Sequence, residues 1–146
     1  MSVRTSIAKA LAEKLKLIDG TGIYSTNVNS NAYPKLVFWD ECNDFPAIYM
    51  STGSETREYH PGGFRWGFLG ISIKCYVKGE DPAQELENLL EDIEKVIDAN
   101  RTLNYDSTNP NKQTVEILIN SIVTDEGLLV PYGIGEINIS VQYPVL

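Results

Sequence analysis

His60 is the one histidine of the chain, and it lies in Glu58-Tyr59-His60-Pro61-Gly62, a sequence of loop character. An imidazole that activates a serine or cysteine needs that nucleophile beside it and a carboxylate behind it. Neither Cys42 nor Cys75 sits in a nucleophile-elbow sequence, so His60 reads as an exposed loop residue. One histidine and two distant cysteines cannot fill a zinc tetrahedron without carboxylates. Asp40, Glu41 and Asp44 are clustered, but the EF-hand pattern with glycine at its sixth position is absent, and the cluster reads as a solvated turn. Gly133-Ile134-Gly135 lacks the third glycine and the following helix of a dinucleotide fingerprint. A run of period 2 follows instead, so these glycines are expected to shape a turn or bulge. Asp125-Glu126-Gly127 carries turn chemistry as well. Twenty acidic residues guarantee carboxylate pairs by chance, and nothing selects one pair placed across a cleft. No catalytic set, metal site or cofactor is expected.

The middle third is richer. Trp39, Tyr49, Tyr59, Phe64, Trp66 and Phe68 fall within thirty residues, interspersed with Arg57 and Arg65. Tryptophan, tyrosine and arginine dominate the energetics of protein interfaces. Trp39 and Phe68 are assigned to the core. Tyr59, Phe64 and Trp66 flank a Gly-Pro loop, where core packing and contact with another chain both remain open.

The elements that would position these groups are legible from periodicity. Leu69, Ile71, Ile73, Cys75 and Val77 alternate with Gly70, Ser72, Lys74, Tyr76 and Lys78, a strand with one apolar face that begins near Arg65. Leu86, Leu89, Leu90, Ile93, Val96 and Ile97 then recur at helical spacing. Asp81 suits the N-cap of that helix, Pro82 its first position and Gln84 a reciprocal capping box; Asn100 closes it. A first helix is predicted over residues 3–17 or 3–18, with Ser2 as N-cap and Gly20 as a left-handed stop. Short strands are predicted over residues 21–28, 35–39 and 45–51, and a further one over 102–106. Residues 52–63 read as a long excursion or loose hairpin. Residues 115–123 alternate, yet Leu118 and Ile122 make their second face apolar too, so this strand is central or faces a partner. Ile137, Ile139, Val141, Tyr143 and Val145 mark a last one-sided strand. One apolar sheet face and two apolar helix stripes make a two-layer α+β fold: a mainly antiparallel sheet with both helices on one face, in a single domain of residues 1–146.

The net charge of −8 is concentrated. Glu80, Asp81, Glu85, Glu87, Glu91, Asp92, Glu94 and Asp98 face only Lys95 between positions 80 and 98. These acids read as a solvated outer helix face, with a negative rim towards a basic partner as the sharper alternative. No basic patch with interleaved aromatics is present to grip a phosphate backbone. No apolar stretch reaches the ~20 residues of a membrane span, and no secretory signal is seen. Cys42 and Cys75 are expected to be free thiols in a reducing cytoplasm.

Taken in order, the leading helix, Gly20-Thr21-Gly22-Ile23-Tyr24, Phe45-Pro46-Ala47-Ile48, the long excursion, the alternating strand, the acidic helix and two closing strands joined by Thr124-Asp125-Glu126-Gly127 and Pro131-Tyr132-Gly133 resemble the tail-terminator (tail-completion) proteins of long-tailed bacteriophages. The resemblance covers almost the whole chain and rests on element order and short phrases. It implies a structural, non-enzymatic subunit made in the host cytoplasm and placed in the virion tail. There it would form a ring, in all expectation a hexamer, on the head-proximal end of the tail tube. Its partners would be the major tail tube protein and the head-neck connector proteins, with DNA only as cargo and no membrane. A head-tail joining or neck protein is the alternative of the same kind, and a small enzyme with an unrecognised carboxylate site the alternative of another. Local composition assigns three contact regions. Arg57, Tyr59, Phe64, Arg65 and Trp66 would meet the tube or a neighbour. Leu128, Leu129 and Tyr132 would form an inter-subunit or axial contact. The strand Glu136–Tyr143, if it is an edge, could pair across the ring.

Overall fold

A computed structural model describes residues 2–145. Helix α1 spans Val3–Leu15, strand β1 Ala32–Tyr33, β2 Ala47–Tyr59, β3 Arg65–Lys78, helix α2 Pro82–Ala99, β4 Glu116–Thr124 and β5 Tyr132–Val145. The five strands form one sheet in the order β1-β2-β3-β5-β4, antiparallel throughout except for the parallel pair β1–β2. Both helices lie on one face. The core is the apolar side of β3 and β5 (Leu69, Ile71, Ile73, Cys75, Val77, Ile137, Ile139, Val141) packed against Ile7, Leu11 and Leu15 of α1 and the predicted stripe of α2. The α+β, two-layer expectation is met.

Ser2 caps α1 by accepting from the Thr5 N–H at 3.1 Å. The helix stops at Leu15, two to three residues before the predicted end, because Leu17 and Ile18 donate to carbonyls three residues back and tighten into turns. Gly20 does take a left-handed φ of +78°, but beyond the helix rather than as its cap. Asp81 caps α2 through the Gln84 N–H with Pro82 in the first turn. The reciprocal half of the capping box is not made: the Gln84 amide donates to Asn88 instead.

Among the described residues, 21–28 are not a strand. They meet the fold through the Asp19–Asn27 bridge and through Asp92. The Asp92 carboxylate is fully buried, which removes it from the solvated acidic face assigned to it by sequence. It accepts from the Ser25 N–H at 3.1 Å and the Thr26 N–H at 2.8 Å, so that two otherwise orphaned amides are satisfied by one charge. Asp92→Asn, which keeps the shape but weakens both bonds, is expected to cost about 1–2 kcal/mol. Thermal unfolding should then fall by roughly 2–8 °C; an unchanged midpoint would rule out this anchoring.

The largest departure concerns residues 52–63. No loose excursion is present there: β2 runs on to Tyr59 and pairs with β3 up to Tyr59–Arg65, with one bulge between Thr52 and Glu55. The part beyond the bulge projects past the helices, so neither face has to be apolar and the alternation that marks a strand in sequence is lost. Residues 35–39 and 102–106 are likewise not strands; 34–45 cross the face of the sheet opposite the helices. There Cys42, Ala47, Tyr49 and Tyr76 form a second, smaller apolar cluster with Val37, Trp39, Phe45 and Ile134. Cys42 is thus buried rather than part of a solvated turn, and both cysteines are free.

Gly133 and Gly135 lie inside β5 rather than in a turn. A Cβ on Gly133 would stand 2.8 Å from the Pro82 carbonyl oxygen and 2.7 Å from Val77 Cγ2. The glycines let the start of α2 descend onto the sheet. β5 is also central, between β3 and β4, so the condition for its pairing across a ring, an edge position, is not met; the edge strands are β1 and β4. No described helix is long and apolar enough to cross a membrane.

Candidate interaction surfaces

The predicted contact residues gather at opposite ends of the sheet. The first group makes one structure, an arm formed by the outer halves of β2 and β3, with the end of β5 paired to β3 as far as Arg65–Val145. Its tip is the turn at residues 60–64, closed by the His60 N–H donating to the Phe64 carbonyl at 2.8 Å. Gly62 and Gly63 hold φ of +88° and +82°, a conformation that side chains with a Cβ adopt only under strain. Register places Arg57, Tyr59 and Arg65 on the helix side of the arm and Trp66 on the other. Phe64 packs edge-on against Trp66 with ring centroids 4.8 Å apart and lies 6.3 Å from the His60 ring, and it stays 42% exposed and Tyr59 69%. His60 sits 2.8 Å from Glu58 on this exposed tip, with no nucleophile in the pairing.

The base of the arm is built more firmly. Glu55 accepts from the Tyr143 hydroxyl at 2.6 Å and from Arg57 Nε at 2.7 Å. Gly67 leaves room for the Tyr143 ring, and the Arg4 guanidinium of α1 donates to the Gly53 carbonyl. Burial alone would raise the Glu55 carboxyl, but the bonds from Tyr143 and Arg57 outweigh it and hold the group below its ordinary 4.5. Burial, followed by the bond to Glu55, pushes the Tyr143 phenol up to about 12. A carboxyl lowered by folding stabilises the fold above its unfolded value, and that stability is lost as pH falls through the folded value. Glu55→Gln is therefore expected to lower the unfolding midpoint at neutral pH, and the gap from wild type should close as pH drops below about 4.5. A gap constant from pH 7 to pH 3 would contradict this.

The second group lies at the far end. Leu128 is 81% exposed, and Leu129 and Val130 are exposed beside it, in the loop of residues 125–131 between β4 and β5. This loop continues the free edge of β4, where Leu118, Ile122 and Val123 are also exposed. A free edge carrying apolar side chains is a surface that natural sheets normally cover or blunt with charge. The apolar second face of residues 115–123 was its signal in the sequence. Tyr132 is engaged within its own chain, its ring 5.2 Å from Trp39 and 5.7 Å from Phe45 with Lys78 Nζ over it. Glu136 lies on the open face of the sheet, 2.7 Å from Lys74 Nζ. Leu129 and Glu136 line one groove of about 300 Å³ with Trp39, Lys74, Val123 and Ile134. Trp39, assigned to the core, forms a wall of this groove, and Phe68 is only half-buried on the open face.

Both surfaces suit contact and neither carries a reacting group. The family model described as Bacteriophage Tail Tube Terminator Protein matches residues 1–145. The chain belongs to the bacteriophage tail tube terminator family. A relative, tail tube terminator protein p142 of Escherichia phage T5, is 39% identical over 152 residues, covering 98% of this chain and 94% of that protein. Among solved structures, a chain of the virion of a native gene transfer agent particle shares the fold with a TM-score of 0.62 at 8% identity, covering 95% of both chains. The family is structural, and the protein is not an enzyme. The expectation of a tail terminator drawn from element order is met.

Proposed function

We propose that this terminator, a component of the phage tail, assembles into a ring of about six copies on the head-proximal end of the tail tube. Ring closure ends tube growth, and the exposed side of the ring offers the surface on which connector proteins of the filled head dock. DNA passes through as cargo. The observation that carries this reading is the uncovered apolar surface formed by Leu118, Ile122 and Val123 of the β4 edge and by Leu128–Val130. A monomer would leave that surface in water. A second copy would cover it, and a contact between unlike surfaces repeats around an axis and makes a ring where the rotation closes. Two further features support the reading. The arm lies at the other end of the sheet, giving the chain a second and different contact surface, and the exposed acids of α2 disfavour adhesion to passing DNA.

Native mass spectrometry with negative-stain imaging, on the purified protein and on the protein mixed with isolated tail tubes, tests this. A ring of about six 16.3 kDa chains, free or seated on the tube end, is expected. A strict monomer that also fails to bind tubes would overturn the reading.

A further inference from the structure

We propose that the free edge of β4 in one copy pairs, antiparallel, with the uncovered outer half of β2 in the next, so that the sheet runs on from copy to copy. This rests on the ring reading and names the contact between neighbours. The sheet ends in β4 on one side and in β1 on the other. β4 is nine residues long and, among the described residues, pairs with β5 alone. β1 is two residues long and meets β2 only at Ile48 and Tyr49, with the Met50 N–H donating to the Lys35 carbonyl just beyond. From Ser51 to Tyr59, β2 is paired to β3, and no described strand lies on its other side. Each edge is an open row of backbone donors and acceptors, a template for a further strand. Neither stretch carries the lysine or proline with which natural sheets keep edges apart.

Height, bulges and direction make the two edges mates. Register across the sheet puts Ser51 level with Ser72, Asn138 and Ser121, and Thr56 level with Phe68, Gln142 and Glu116. The part of β2 that β1 leaves bare therefore begins level with residues 116–121 of β4. Each edge also holds one extra residue, between Thr52 and Glu55 in β2 and between Ile119 and Ser121 in β4. Thr52 and Ile119 stand on the same rung, through Ile71 and Ile139. A bulge puts an edge out of step with a regular partner, whereas an extra residue at the same height on both sides keeps the two in step. Direction alternates along β2, β3, β5 and β4, so β4 runs opposite to β2. Rotation about an axis along the strands preserves direction and brings β4 beside the β2 of the next copy in antiparallel order. That contact joins unlike surfaces, as a ring requires. Pairing of β4 with a second β4 would leave both β2 edges bare, and a tube stacked along the axis would meet strand ends. A second copy presenting β2 is therefore the occupant.

Phage lacking the gene are supplied with chains carrying Leu118→Cys together with Ser51→Cys, Ser54→Cys or Thr56→Cys, and purified particles are oxidised. Leu118, Ser51 and Thr56 lie on the open face of the sheet, and Ser54 lies in the bulge level with Leu118. The native Cys42 and Cys75 are buried. A disulfide forms where the two Cα atoms come within about 7 Å. At least one of the three pairs is expected to give a ladder of linked chains reaching about six, and no cysteine alone should give one. A dimer from Leu118→Cys alone would show β4 meeting β4 and overturn the proposal. So would the absence of a ladder from all three in particles whose tails end in an imaged ring, with the ring reading left standing. Amide exchange gives a second measurement, free of substitutions. Residues 51–56 and 116–121 are both expected to exchange about 10-fold or more slowly in the assembled ring than in the separated subunit. Protection gained at one edge and not the other would refute the pairing.

Discussion

Leu129→Asp is expected to leave a folded subunit whose self-association is weaker by about 100-fold or more, and phage relying on it should make over-long, headless tails. Leu129 lines the groove with Trp39, Val123 and Ile134 and faces solvent in the isolated chain. An aspartate there costs the monomer little, since substitutions of surface residues usually stay within about 0.5 kcal/mol. On assembly it would be desolvated without a partner, next to Asp125 and Glu136. Loss of an apolar anchor costs about 2 kcal/mol or more, and burying the carboxylate adds to it. About 3 kcal/mol in all is already a factor of roughly 100. Circular dichroism and the unfolding midpoint should match wild type, while sedimentation and tail length should not. Ile23→Asp is the control, because Ile23 is also solvent-facing, 64% exposed against 36% for Leu129, but lies in the segment beside α2, far from the groove. If Leu129→Asp assembled like the control, this face would not be the interface.

Gly133→Val acts on the fold itself and should destabilise it by about 3 kcal/mol or more. The added Cβ alone meets the Pro82 carbonyl oxygen at 2.8 Å, and that is backbone at the first turn of α2. Overpacking of this kind costs about 1–3 kcal/mol when side chains can yield and more when backbone must move. For a chain of this size, about 3 kcal/mol lowers the unfolding midpoint by roughly 6–12 °C. Gly135→Ala makes the instructive contrast. Its Cβ would meet the Leu86 Cδ1 methyl at 3.1 Å, the far end of a side chain that can turn aside. Its cost should stay near 1 kcal/mol. Equal costs for the two would refute the close approach of α2 to β5.

The resistance of these glycines to reading from sequence has a physical cause. Gly133 and Gly135 continue the core face of β5, where a gap between flanking apolar residues looks like a turn. Their purpose is set by a helix some fifty positions earlier. Asp92 raises the same difficulty. It sits in a run of acids that solvent accounts for, and only the placement of the Ser25 and Thr26 amides, sixty-seven and sixty-six positions away, gives it a buried role.

The sequence by itself determined the two layers. The one-sided alternation of β3 and β5, the apolar stripe of α2 and the caps at Ser2 and Asp81 are local patterns, each enforced by the need to put one face out of water. Element order then sufficed to suggest the terminator family. Only the tertiary structure decided which strand is the edge, because strand order is a matter of partners and leaves no period in the chain. It set β5 inside the sheet and β4 at an edge, and made residues 52–59 a paired strand rather than a loose excursion. It also gathered Trp39, Val123, Leu129 and Ile134, spread over almost a hundred positions, into one groove. Periodicity reports a residue's relation to the core it is buried in. Surfaces made from distant segments and completed by another molecule have no such period, so they exist only once the chain is folded.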